Sequence, residues 1–374
     1  MKVYIVAGEP SGDLHGSNLI KALQQQMPSV QLRFWGGELM SKSAGLAPVV
    51  HYRSMSFMGF IEVVKHLPSI YKLFNFCKKD ITLFNPDVVV FIDYPGFNLR
   101  LAKWSKKNGY RTDYYISPKA WAWKKSRVHT LKKYVDRLFT IFPFETEFFR
   151  NFGYEVSYVG NPLLDEILHY RSLKSGFSLR EHYGLGLKPI IAILPGSREQ
   201  EVRTKLPLML AAAASFRSYQ IVIAGAPSLD AAFYNPFIVG FDVTLVFDAT
   251  YSILESSECA IVTSGTATLE TALLKIPQVV CYIASPISFA IAKRLITIKY
   301  ISLVNLIFDE EVVKELVQSD CSVEKIKHEL SLILSGGDKR QFQLAKYNEL
   351  QLLLGDGKTS EKVANQLISD YKLV

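Results

Sequence analysis

The chain opens with Val3-Tyr4-Ile5-Val6-Ala7, an unbroken apolar run. It stops at Gly8-Glu9-Pro10-Ser11-Gly12-Asp13 and resumes as a helical pattern from Leu14 to Leu23. A strand with no alternating polar residue is covered on both faces, as in a parallel sheet flanked by helices. Further strands are expected at 31–35, 88–92, 111–116, 139–141 and 157–159, with helical patterns between them. This is the βαβ signature of a doubly wound fold. The pattern pauses at Gly160-Asn161-Pro162 and stays polar to about Lys188. Strands restart at 190–193, 220–224, 244–247, 260–262 and 278–283. The chain therefore reads as two α/β domains in tandem with a hinge at 160–170. The expected boundaries are 1–165, 166–340 and a helical region 341–374 that packs back on the first domain. A length of 374 residues suits two domains.

Composition narrows the class. Charged residues are 21% of the chain and hydrophobic residues 49%, which argues against extensive disorder. Four scattered cysteines without a CxxC pair argue against a disulfide framework or structural zinc, and a reducing compartment fits. No stretch reaches the roughly 18 uncharged apolar residues of a membrane span. The N-terminus has no long apolar region of a signal peptide. A cytosolic protein that can touch a membrane is expected. Twelve Lys and Arg against two Asp fall within residues 100–137, a local excess of +10 in a chain of net +8. Such a segment points to a polyanion: nucleic acid, an anionic membrane or a phosphorylated substrate. A solvated basic helix face is the plainer reading.

Several motifs sit where an α/β sheet binds ligands, at the carboxyl ends of strands. The first loop carries Gly8, Gly12 and Gly16, which allow close backbone approach, beside Glu9, Ser11, Asp13 and His15. It lacks the spaced GxGxxG pattern of dinucleotide sites, and Asp13 can equally cap a helix. Asp93, after the run Val88–Ile92, is placed to act as a general base, or else to form the Pro95-Gly96 turn. Gly196-Ser197 offers backbone N–H groups to phosphate, and Arg198 a bidentate charge. Ser264-Gly265-Thr266-Ala267-Thr268 enters a helix and forms a second phosphate cradle. Glu270, early in that helix, can accept from ribose hydroxyls. No Walker lysine is present, which excludes a P-loop ATPase. No Asp-x-Asp pair or His/Asp cluster appears, so neither a metal nor another cofactor is expected.

Two segments suit a lipid surface. Residues 55–76 include Met55, Phe57, Met58, Phe60 and Ile61, and the spacing 60, 64, 67, 71, 74 makes an apolar helical face. That face is either core or a surface for acyl chains. Trp121 and Trp123 beside Lys124, Lys125 and Arg127 suit a membrane interface. Stacking on bases would suit them too, but no RNA-binding module signature accompanies them, and no nucleic-acid partner is expected.

The motifs in order resemble those of the bacterial lipid-A-disaccharide synthases. The similarity includes Ala7–Asp13, Met58-Gly59-Phe60-Ile61-Glu62-Val63 and Ser117-Pro118-Lys119-Ala120-Trp121-Ala122-Trp123. It continues through Leu194–Arg198, Ser264–Glu270, Ala292-Lys293-Arg294-Leu295 and Tyr300–Leu306. The resemblance implies a GT-B-type glycosyltransferase, two Rossmann-like domains with the active site in the cleft between them. It implies UDP-2,3-diacylglucosamine as donor and 2,3-diacylglucosamine 1-phosphate as acceptor. The products are a β-1,6-linked disaccharide 1-phosphate and UDP, at the cytoplasmic face of the inner membrane on the route to lipid A. Asn305 matches a family position near the site. The family's usual aspartate is replaced here by Gly96, which leaves Asp93, Glu9 or His15 as base. The rival expectation is another UDP-sugar enzyme of the same fold, an epimerase or a different transferase.

Overall fold

A computed structural model describes residues 1–55, 67–123, 125–173, 178–285, 289 and 298–372. The chain divides into two compact units, Met1–Pro162 with Gly357–Val374, and Leu163–Asp356.

The first unit is built on six parallel strands: β1 (Lys2–Ala7), β2 (Gln31–Trp35), β3 (Val88–Ile92), β4 (Arg111–Tyr115), β5 (Arg137–Thr140) and β6 (Ser157–Tyr158). Their spatial order is β2-β1-β3-β4-β5-β6. The apolar run of β1 is divided by its pleat. Val3, Ile5 and Ala7 pack with Leu19, Ile20 and Leu23 on one face, and Tyr4 and Val6 with Cys77, Ile81 and Leu101 on the other. Both faces are covered, as the missing polar alternation requires.

The first helix runs Pro10–Gln26, starting earlier than the apolar pattern because Pro10 suits the first helical turn. The final helix, Thr359–Lys372, packs on it, burying Val363, Ala364, Leu367 and Ile368. Arg111 and Arg137 clamp it by pairing with Asp370, and Arg137 also donates to Gln366 at 2.9 Å. Only part of the expected C-terminal region behaves this way. Helix Arg340–Leu354 belongs to the second unit, where Gln343 and Tyr347 bond to Gln278.

The apolar helix at the end of segment 55–76 is observed as Leu67–Phe84. Of the expected face, Phe74 turns inward and Tyr71 outward. Cys77 and Ile81 are fully buried and Phe74 joins them, whereas Tyr71 is 67% exposed. Asp80, on the same inward side, is buried and accepts from the Tyr4 hydroxyl and the Arg33 guanidinium. Residues 56–66, with Phe57, Met58, Phe60 and Ile61, lie outside the described residues.

The second unit has strands β7 (Ile190–Leu194), β8 (Gln220–Gly225), β9 (Val243–Phe247), β10 (Ser257–Thr263), β11 (Gln278–Tyr282) and β12 (Lys314–Val317). They are all parallel, in the order β12-β11-β10-β7-β8-β9. Strand β12 was not expected, because Lys314-Glu315 breaks the apolar run at this sheet edge. Among the described residues no helix is long and apolar enough to cross a membrane.

Candidate active site

Each sheet has a point where the chain order reverses, and loops there splay apart to leave a ligand crevice. In the first unit that point lies between β1 and β3, which pair with Ala7 opposite Ile92. It brings Gly8-Glu9 beside Asp93. Asp93 and Tyr94 both adopt left-handed backbone conformations, φ 43° and 48°. Each costs on the order of 1–2 kcal/mol for a non-glycine residue. The surroundings hold them there. The Asp93 carbonyl accepts from the Tyr114 hydroxyl at 2.5 Å and from Asn98 Nδ2 at 2.8 Å, while the Asp93 N–H donates to Tyr115 at 3.1 Å. Tyr94 lies over Gly8, where a Cβ would meet its ring at 2.3 Å, and its hydroxyl donates to the Met55 carbonyl.

This geometry gives Asp93 its chemistry. Burial raises its carboxyl to about 6, the neighbouring Glu9 carboxylate adds to the rise, and Lys119 and Arg127 oppose it. Burial also raises Glu9. A carboxylate poised near neutrality at a strand's carboxyl end can accept a proton from a hydroxyl. His15 is less suited: burial lowers its imidazole to about 4, leaving it neutral and weakly basic. Ser11 is exposed on the first helical turn, and Gly12 packs on Ala7.

Three expected contacts have other roles. Asp13 is buried, and its carboxylate accepts from Gly37 N–H at 2.6 Å, Leu39 N–H at 3.0 Å and Met40 N–H at 3.1 Å. It caps the helix Glu38–Ala44, not its own, and is not presented to a ligand. Trp121 is not a membrane contact: it is buried, and its indole N–H donates to Glu145 at 3.2 Å. Glu145 also accepts from the N–H groups of Ile141 and Phe142, and burial raises its carboxyl to about 7. Met55 is likewise core rather than lipid-facing. Lys125 is exposed and Arg127 half-buried; Lys124 and the Trp123 side chain lie outside the described residues.

In the second unit the order reverses between β7 and β10, paired with Leu194 opposite Val262. The loops Pro195–Arg198 and Ser264–Ala267 therefore leave the sheet side by side. Gly196 takes φ 120°, and a Cβ there would strike Glu201 at 2.5 Å. The Glu201 carboxylate accepts the Ser197 N–H at 3.1 Å and pairs with exposed Arg198 at 3.4 Å. The helix Thr266–Leu273 points its first turn to the same end, with Gly265 as N-cap. Its Thr268 N–H donates to the Gly265 carbonyl at 3.2 Å, which leaves the Thr266 and Ala267 N–H groups as the ones without intrahelical acceptors. Thr268 is buried and spends its hydroxyl on the Gly265 carbonyl. Glu270 accepts from Tyr251 at 3.5 Å, and burial raises its carboxyl.

Asn305 does not offer its amide to a ligand. It is fully buried, donates to Val313 O and Glu315, and accepts from the N–H groups of Val312 and Val313. Glu315 in turn accepts from the N–H groups of Ile301 and Ser302, and the Ser264 hydroxyl donates to the Ile301 carbonyl. Tyr300–Asn305 is thus scaffolding behind the Ser264 loop.

Sequence reasoning missed Asn98 and Tyr114, which hold Asp93. It also missed Glu201, Glu315 and Glu166, whose carboxyl is raised to about 7 by burial, Glu270 and Asp165. Asn98 and Glu201 could have been noticed beside their motifs. Tyr114 and Glu315 lie on strands remote in sequence and carry no local signal.

The lipid-A-disaccharide synthetase family model matches residues 3–368. The lipid-A-disaccharide synthase of Syntrophus aciditrophicus (strain SB) is 39% identical, over 97% of this chain and 96% of that protein. The Geobacter metallireducens (strain ATCC 53774 / DSM 7210 / GS-15) protein of the same name is 36% identical, over 97% and 95%. Among solved structures, a putative UDP-N-acetylglucosamine 2-epimerase from Listeria monocytogenes superposes with a TM-score of 0.71 at 14% identity, covering 100% of this chain and 97% of that one. CalG4, the calicheamicin glycosyltransferase, gives 0.61 at 14%, covering 98% and 97%. These distant likenesses show the GT-B fold, and the close relatives show the lineage: the chain is a glycosyltransferase belonging to the lipid-A-disaccharide synthetase family.

Proposed function

We propose that this enzyme transfers 2,3-diacylglucosamine from its UDP conjugate to the 6-hydroxyl of 2,3-diacylglucosamine 1-phosphate, with inversion at the anomeric carbon. The observation that carries the reading is Asp93, held in a strained turn at the carboxyl end of β3 with its carboxyl raised to about 6. Asp93 accepts the proton of the acceptor hydroxyl as the oxygen bonds to the donor's anomeric carbon. The carbon–oxygen bond to the diphosphate breaks, and its electron pair leaves with UDP. Arg198 and the N–H groups of Gly265, Thr266 and Ala267 receive the developing charge. Arg198 is exchanged from Glu201 to the diphosphate as the donor enters. Glu270 and Glu166 face the ribose and sugar hydroxyls.

Acylated substrates suit an enzyme that works at the cytoplasmic face of the inner membrane. Exposed Leu39, Leu46, Tyr71 and Phe76 in the first unit, with the cations of 100–137, support that placement. Part of that positive charge is internal, since Arg111, Arg137 and Lys106 are paired with aspartates.

The test is turnover of both substrates in detergent micelles, following UDP and disaccharide together. Equal appearance of the two is expected. UDP without disaccharide would refute the acceptor assignment, and interconversion of UDP-sugars alone would favour an epimerase.

A further inference from the structure

The basic segment conceals a pocket that the catalytic reading does not use. Helix Pro95–Lys107 packs against helix Arg127–Tyr134. Between them opens a cavity of about 300 Å³, lined by Gly96, Arg100, Lys103, Ser126, Arg127 and Thr130 with two apolar neighbours. Arg100 and Lys103 stand three residues apart, on one face of their helix. Three cations and two hydroxyls thus converge, and among the described residues no carboxylate lines the cavity. Elsewhere in the segment, Lys106, Arg111 and Arg137 are neutralised by aspartates. Among the described residues, Arg100 and Lys103 enter no ion pair. Gly96 adds a backbone N–H from the helix's first turn, which has no intrahelical acceptor. A Cβ at Gly96 would enter open space among the described residues.

From this arrangement we infer that the pocket binds the phosphate monoester of the acceptor glycolipid, an inference that rests on the function proposed above. A phosphate monoester is a compact anion of about two charges with several acceptor oxygens, and it needs converging donors of several kinds. A bidentate guanidinium, an ammonium, hydroxyls and a helix-end amide together meet that need. A nucleic-acid strand would need a track of such sites, whereas here three cations meet in one cavity. The position suits the reaction. Gly96 follows Asp93 by three residues, and Arg127 interacts with the Asp93 carboxylate across the intervening space. A sugar anchored here by its 1-phosphate has its ring, and then its 6-hydroxyl, to direct toward Asp93.

The test compares the full-length enzyme with Arg100→Gln/Lys103→Gln. Lys107→Gln, on the same helix outside the pocket, is the control. The acceptors are 2,3-diacylglucosamine 1-phosphate and its phosphate-free counterpart, in neutral detergent micelles. The wild type and the control should prefer the phosphorylated acceptor by roughly ten- to a hundredfold in kcat/KM. The double variant should lose most of that preference through a raised acceptor KM, with donor KM unchanged. Equal preference in wild type and double variant overturns the inference. So does a double variant that keeps the preference and loses only sedimentation with phosphatidylglycerol vesicles, since the pocket would then read the lipid surface. Titration with glucosamine 1-phosphate, followed by calorimetry, separates the two readings. Heat of binding abolished in the double variant supports the pocket even in an enzyme that makes no disaccharide. No difference in heat between wild type and double variant overturns it.

Discussion

The Tyr114 hydroxyl donates to the Asp93 main-chain carbonyl across 2.5 Å, so a buried strand residue pins the backbone that carries the proposed base. The bond leaves the Asp93 carboxylate free of Tyr114 while fixing the turn that aims it. Asp93→Asn should lower kcat by about 10²–10⁴ with little change in donor KM. Tyr114→Phe removes only the pin and should lower kcat by roughly three- to tenfold. In the wild type, kcat/KM should fall as pH drops through about 6, because the base works deprotonated. Stability moves the opposite way. A carboxyl raised from 3.8 to about 6 by folding stabilises the fold below its unfolded value, and that contribution is lost as pH rises through 6. Asp93→Asn should therefore raise the thermal midpoint at pH 7.5 but not at pH 4. A pH–rate profile unaltered by substituting Asp93 would move the base elsewhere, with Glu9 first in line.

Glu201 occupies the place the donor's diphosphate is expected to take, on the Ser197 N–H and the Arg198 guanidinium. Neutralising a competing carboxylate helps an incoming anion. Glu201→Gln should lower donor KM by about two- to fivefold, a small effect because the pair is partly exposed. Arg198→Ala should raise donor KM by at least about tenfold. Unchanged UDP affinity in Arg198→Ala, measured by calorimetry, would remove Arg198 from the leaving-group site.

The strands were legible because continuous apolar runs such as Ile190–Leu194 are short, β-branched and bounded by turn residues, which together select a buried strand over a buried helix. The loops Gly8-Glu9, Asp93, Gly196–Arg198 and Ser264–Ala267 all fall at points where strand order reverses. What the sequence hid was who satisfies whom. Asp13 and Asn305 have the residue types of ligand contacts, but their acceptors and donors are consumed by backbone brought close only by the fold. The Trp121–Glu145 bond spans 24 residues. In a motif of tryptophans and lysines, one-dimensional spacing cannot show which indole turns inward.

Trp121 therefore separates packing from membrane binding. Trp121→Phe keeps the aromatic contacts with Phe142 and Phe144 but deprives buried Glu145 of one donor. A loss of about 1–3 kcal/mol is expected, read as a lower thermal midpoint. Sedimentation with anionic vesicles should be unchanged. A variant with wild-type stability and weakened vesicle binding would return Trp121 to the lipid surface.

Asn305 tests how far the donor loop depends on scaffolding behind it. Its amide ties Val312 and Val313 to Glu315, Glu315 holds the N–H groups of Ile301 and Ser302, and Ser264 closes the chain on the Ile301 carbonyl. Asn305→Ala would strand buried groups on both sides and should cost about 2–4 kcal/mol, read as a lower thermal midpoint. Asn305→Asp should be worse than Ala, since it turns a carboxylate toward Glu315 and the Val313 carbonyl where the amide donated. Ser264→Ala loses only the last link and should leave the midpoint within about 1 kcal/mol of wild type while raising donor KM. If Asn305 instead touched the donor, Asn305→Ala would raise donor KM at full stability. Measuring both quantities on the same preparations decides between a ligand contact and a brace.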